Sequence, residues 1–227
     1  MKKTHKMSES RYSKLSILIA ILVIIAIVLS SIVFIIYPYY AGDGGDDGDI
    51  VVRKPAIYLY PQETLKIKVS LSINGEITIS EPEYNNGWDV VVEPGGKIEG
   101  NYDYLFYEAR LNYLQTPDDG WCVEYEHLEM WMNTTLKELG LNEKESKDFK
   151  DFWLDFLPIA NYYEIKLLSK EYLDLNMGLI IDPKPETIIR VMLTFSPYQN
   201  AVEIDTPLIK TPIRSGFTVV EWGGFII

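Results

Sequence analysis

Cysteine is almost missing from this chain, and so is histidine. The one cysteine, Cys122, cannot form a disulfide within the molecule, so the fold must hold by packing alone. Of the two histidines, His5 lies in the N-terminal tail and leaves His127 as the other. One histidine and one cysteine cannot make an ordinary zinc site, so no metal and no cofactor is expected. There is no glycine-rich phosphate loop and no nucleophile elbow.

Positive charge is scarce too, and unevenly spread. The sequence holds 21 basic and 33 acidic residues, and removing the first 37 takes away five and one, leaving 16 against 32. A surface so acidic excludes a nucleic-acid partner, whose phosphates need Lys and Arg. It also disfavours lying on an anionic lipid surface. Solubility is the ordinary use of such charge, and neutral sugars or cationic partners remain compatible with it.

Long apolar runs are absent except for one. Leu15 to Tyr37 is 23 residues with no charge, no Pro and no Gly. A helix of that length reaches roughly 35 Å, enough for a hydrocarbon core of about 30 Å. Lys2, Lys3, Lys6, Arg11 and Lys14 precede the run, and Asp43, Asp46, Asp47 and Asp49 follow it. Basic flanks stay cytoplasmic, so the bulk of the chain is expected outside. A cleaved signal peptide has a shorter core and a small-x-small cleavage site, for which Tyr39-Tyr40-Ala41 is a poor match. The expected organisation is a cytoplasmic tail (1–14), a transmembrane helix (15–37), an acidic Gly/Asp linker (38–53) and one extracytoplasmic domain (54–227). The expected location is the cell membrane, with a single pass through residues 15–37.

Within that domain, Ala56–Tyr60 between Pro55 and Pro61 reads as an edge or entry strand. Leu65 to Ile73 alternates apolar and polar, reaches Asn74-Gly75, and returns through Ile77 and Ile79, which reads as a hairpin. Residues 104–113 alternate again, with Leu105, Tyr107, Ala109 and Leu111 on one face and Tyr104, Phe106, Glu108 and Arg110 on the other. The period then lengthens. Leu128, Trp131, Met132, Leu136 and Leu139 form a helical stripe stopped by Gly140. Asn142 with Glu145 forms a capping box for a second helix striped by Phe149, Phe152, Trp153 and Phe156. Leu179–Ile181 and Thr187–Phe195, joined by a Pro-rich turn, read as a second hairpin. Strands, a helical hairpin and strands again predict an α+β domain: antiparallel sheet or sandwich with an inserted αα-hairpin.

Five segments carry a resemblance. Lys54-Pro-Ala-Ile-Tyr-Leu-Tyr-Pro61, Tyr84-Asn-Asn-Gly-Trp88, Tyr104-Leu-Phe-Tyr-Glu108, Leu139-Gly-Leu-Asn-Glu-Lys-Glu145 and Gly216-Phe-Thr-Val-Val-Glu-Trp-Gly-Gly224 occur in this order. Together they resemble a family of prokaryotic secreted or membrane-anchored domains that begin with K-P-x-I-Y-L-Y-P and end near E-W-G-G. Tyr107 departs from the pattern, which has Trp there. The resemblance implies the domain boundaries and transfers no catalytic residue.

Three sets of side chains offer chemistry. Cys122 with His127 could make a thiolate–imidazole pair, assisted by a nearby acid; a packed thiol is the plainer reading. Glu108 could face a second carboxylate such as Glu221 across a cleft, or simply pair with Arg110 on one strand face. Tyr104 with Glu108 and Arg110, and the loop aromatics Trp88 and Trp222, offer stacking and hydrogen bonding for a sugar or peptide; alternatively the face of Tyr104, Phe106, Glu108 and Arg110 packs under the αα-hairpin. The expected function is a non-catalytic binding or interaction module displayed at the cell envelope, its partner a glycan or protein. The rival is an envelope-facing hydrolase or transferase using Cys122 and His127 or a glutamate pair.

Overall fold

The structure is a computed structural model, and it describes residues 50–227. The expected membrane helix at 15–37, the basic tail and most of the acidic linker lie outside the described residues. Among the described residues no helix is long and apolar enough to cross a membrane.

The architecture is α+β and mostly strand. Among the described residues ten strands run β1 Ile50–Tyr60, β2 Leu65–Ile73, β3 Gly75–Glu81, β4 Trp88–Val92, β5 Leu105–Leu111, β6 Trp121–Glu124, β7 Tyr162–Leu167, β8 Met177–Asp182, β9 Thr187–Tyr198 and β10 Thr218–Ile226. The helices are α1 Leu128–Glu138, α2 Glu143–Phe156 and α3 Lys170–Asn176. A seven-stranded sheet has the order β3-β5-β1-β10-β9-β7-β6, and a three-stranded sheet the order β4-β2-β8. All the pairings are antiparallel except β9 with β10.

Two apolar layers sandwich the large sheet. Between the sheets lie Leu59, Ile67, Val69, Trp88, Tyr107, Met192 and Phe225. On the opposite face Tyr58, Val191, Phe195 and Trp222 pack on the helical hairpin through Met132, Leu136, Phe149 and Trp153. β10 feeds both layers and is buried along all but its last residue.

The helical hairpin follows its local signals. The Asn142 side chain accepts from the Glu145 main-chain N–H, and the Glu145 carboxylate accepts from the Asn142 N–H. Gly140 turns the chain between the helices at φ +96°, and a Cβ there would lie 2.4 Å from Pro212. Helix α3 and strand β7 carried no clear sequence signal.

Three local expectations are corrected. The strands flanking Asn74-Gly75 do not pair with each other: β2 pairs with β4 and β8, while β3 pairs with β5 in the other sheet. Asn74 is pinned at the crossing, its N–H donating to Asn176 O and its own carbonyl accepting from Asn112 N. Gly75 is required there because a Cβ would sit 1.9 Å from the Arg110 carbonyl oxygen. A register shift between Ile77 and Ile79 turns Ile79 outward, leaving it 51% exposed. The second expected hairpin fails the same way, since β8 belongs to the small sheet and β9 to the large one. Nor is the Pro-bracketed strand an edge. β1 is interior, between β5 and β10, and Pro55 is accommodated by a bulge, between Arg53 and Ala56 in the β10 ladder and between Val52 and Ala56 in the β5 ladder.

Candidate functional site

Glu108 serves that bulge. Its side chain is only 10% exposed, accepts from Arg53 Nη1 at 2.9 Å, and lies 3.4 Å from the Lys54 main-chain nitrogen. Lys54 takes the left-handed conformation, φ 56°, and its ammonium sits among aromatic rings. It is 3.0 Å from Tyr104 Oη and lies 4.5 Å from the Phe106 ring centroid. Tyr104 is half-buried against Tyr58, with ring centroids 5.2 Å apart. Arg110 points elsewhere, its guanidinium 3.7 Å from Glu76 on β3. Glu108 and Arg110 therefore take different partners.

The other sequence candidates also have structural partners. Cys122 Sγ accepts from the Val202 N–H at 3.3 Å, while His127 Nδ1 is exposed and lies 3.1 Å from Glu124. Trp88 is buried between the sheets, donates to the Pro82 carbonyl, and meets the Tyr84 ring edge-on at 4.7 Å. Trp222 is fully buried on the helical side, 5.3 Å from the Phe149 ring. Among the described residues no group of three or more His, Cys, Asp or Glu could hold a metal ion.

Glu221, like Glu145, has no exposed surface. It faces the layer between the sheets, where Tyr107 Oη donates to Oε1 at 2.9 Å and Arg190 Nε donates to Oε2 at 2.6 Å. Burial and the adjacent carboxylate push the Tyr107 phenol well above its usual range. Burial opposes the Arg190 charge, but Glu221, Tyr107 and Asp174 together outweigh it and hold the guanidinium above its ordinary value. Arg190 Nη2 donates to the Met177 carbonyl at 2.5 Å, while Nη1 is buried without a hydrogen bond, 3.9 Å from Asp174.

A cavity of about 570 Å³ opens beside Arg190. It exists because β7 is shorter than β9. Their ladder ends at the Leu167–Leu193 pair, followed by one bond from Leu168 N to Met192 O. Pairing of β9 with β10 continues back to Thr187. Residues 187–191 thus have a strand on one side only. Met192 O points towards β7, and by strand alternation the main-chain groups of Ile188 and Arg190 face the same side. Outside the ladder with β10, no main-chain hydrogen bond reaches those groups among the described residues. The chain crosses the cavity through Pro207, Leu208 and Ile209, part of the long link from β9 to β10. Of the residues in the sequence motifs that carry the resemblance, only Leu139 reaches this place.

No family model matches the chain, and no solved structure matches it. A protein of Butyrivibrio fibrisolvens, described as an uncharacterized protein in the bglA 3′ region, is 51% identical over 62 residues. The match takes in 25% of this chain and 65% of that relative, slightly less than two thirds of its length. Its description names no ligand and no reaction.

Proposed function

We propose that this chain is a single-pass membrane protein displaying an acidic extracytoplasmic domain, and that the domain is a non-catalytic binding module whose ligand seat is the cavity beside β9. The family resemblance belongs to the same reading. One observation carries it: an apolar-lined cavity of about 570 Å³, within the size range of ligand sites, bordered by unpaired strand main chain and a few charged side chains. The residues that would carry catalysis are engaged in holding the fold. Cys122 takes a main-chain N–H, Glu108 braces a bulge, and Glu221 is sealed between Tyr107 and Arg190.

Two experiments test it. Protease added outside whole cells should remove the domain and leave the N-terminal 37 residues; full protection would overturn the orientation. The full chain in lipid nanodiscs should retain a component of cell-envelope fractions. Leu179→Trp, which extends a larger side chain into the cavity, should lose it at an unchanged melting temperature. Equal retention by both proteins would remove the cavity from the reading, and retention by neither would overturn the binding module.

A further inference from the structure

The cavity lies in the plane of the seven-stranded sheet, at the position a longer β7 would fill. One wall, with Leu139, Ile189 and Val191, belongs to the apolar layer beneath the helices. The opposite wall, with Leu173 and Leu179, belongs to the layer between the sheets. Between these walls stand the main-chain N–H and C=O groups of Ile188 and Arg190. An occupant must therefore be one strand thick, apolar on both faces, and able to donate and accept at strand spacing.

Resting on the binding reading above, we propose that the cavity takes a short, extended, apolar segment of another polypeptide, which adds a strand to β9 where β7 stops. An apolar small molecule would fill the volume and leave the β9 main chain buried and unpaired. A sugar would present hydroxyls to Leu173 and Leu179, which cannot bond them. A peptide strand satisfies both requirements, main chain to main chain and side chains to the walls. The open stretch of β9, residues 187–191, spans roughly 16 Å at about 3.3 Å per residue. A strand covered on both faces is a continuous apolar run rather than an alternating one, and that is the sequence character this seat selects. Leu208, 99% exposed on the crossing segment, extends the apolar rim outward. The charges at the rim nearly balance, Lys170, Arg190 and Lys210 against Asp119 and Asp174, although the domain is strongly acidic. An uncharged segment meets no repulsion there.

The probe is the peptide acetyl-Lys-Val-Ile-Val-Leu-Lys-amide, with a copy N-methylated at the two adjacent central residues. Methylation keeps the side chains and removes donors from both edges of the strand. Binding to the full chain in nanodiscs is read by anisotropy against empty nanodiscs, and hydrogen exchange is followed along 187–192. The unmodified peptide should bind and protect the amides of Ile188 and Arg190. The methylated copy should bind at least about tenfold more weakly, as loss of one or two hydrogen bonds requires. Ile188→Pro removes an N–H that no strand uses, so it should weaken the peptide by a similar factor at an unchanged melting temperature. Should that variant fail to fold, the methylated peptide decides alone. Equal affinity of the two peptides, or protection confined to other segments, would overturn the inference. If neither peptide binds while Leu179→Trp still abolishes envelope capture, the strand inference falls and the binding reading stands.

Discussion

Arg190→Met should cost this domain about 3–5 kcal/mol, because it leaves a fully buried carboxylate without its counter-charge. The Glu221 side chain has no solvent access, and its two oxygens are divided between Tyr107 Oη and Arg190 Nε. With the guanidinium gone, one phenol O–H remains for a whole negative charge. A domain of this size has about 5–15 kcal/mol in total, so roughly a fifth or more of its stability is at stake. The triple change Arg190→Met, Glu221→Leu and Tyr107→Phe removes the charges together. It should come within about 1 kcal/mol of the native protein or exceed it, since the desolvation cost of the pair disappears as well. Urea denaturation followed by tryptophan fluorescence, with a common slope, measures all three proteins. A loss below about 1 kcal/mol for Arg190→Met, or a triple variant no better than the single one, would refute the assignment of an isolated buried charge.

Residues 50–227 expressed alone should melt in one cooperative step, because both apolar layers lie within them; a broad, non-cooperative melt would show that another segment completes the core. Tyr104→Ala should cost about 1–3 kcal/mol, between a core deletion and a surface change, since the ring is half-buried on Tyr58 and meets the Lys54 ammonium. Cys122→Ser should cost about 1 kcal/mol or less by denaturation, because a hydroxyl can accept the same Val202 N–H. Alkaline pH should destabilise the domain steeply. Tyr58 and Tyr107 keep their protons above the normal phenol range, chiefly because burial disfavours phenolate. Their contribution is complete below about pH 10; above it the unfolded chain releases protons that the native state holds, so stability falls by up to about 1.4 kcal/mol per pH unit per tyrosine. Urea midpoints that stay level from pH 9 to 11 would contradict this.

What could be read from the sequence was what short-range chemistry decides. The Asn142–Glu145 capping box, the Gly140 stop and the aromatic stripe of α2 depend on residues within a turn or two of each other, and they form as written. Strand alternation in β5 is equally local, and Leu105, Tyr107, Ala109 and Leu111 are all buried. Strand pairing is not local. Asn74-Gly75 favours a tight turn, but the bond from Asn74 N to Asn176 O and the approach of Gly75 to the Arg110 carbonyl send the chain into the other sheet. The 182–186 turn likewise separates strands of different sheets. The cavity was invisible for a related reason. It comes from a difference in length between β7 and β9, and β7 itself, with Tyr162 and Glu164 on one face, gave little apolar contrast.

Three of the five segments that carry the resemblance meet at one structural detail, and it is not the cavity. Lys54 and Pro55 form the bulge in β1, and Glu108 braces it through Arg53. Gly223 lies against that bulge from β10: a Cβ on it would stand 3.0 Å from Pro55 and 3.1 Å from the Arg53 carbonyl oxygen. Gly224 answers to the other layer, since its Cβ would meet the Leu193 carbonyl at 2.4 Å and the Trp153 ring at 2.8 Å. Between these glycines and the strand start, Trp222 fills the helical side while Glu221 reaches the opposite side to Tyr107. Tyr107 is the position that departs from the pattern, and its phenol O–H supplies the one donor Glu221 needs from β5; an indole N–H is a donor of the same kind. K-P, the Glu of β5 and E-W-G-G are thus the parts of a single junction between three central strands. Such a junction fixes the sheet and leaves its far edge open to vary. The seat beside β9 shares only Leu139 with those segments, so the junction and the seat are built from almost separate sets of residues.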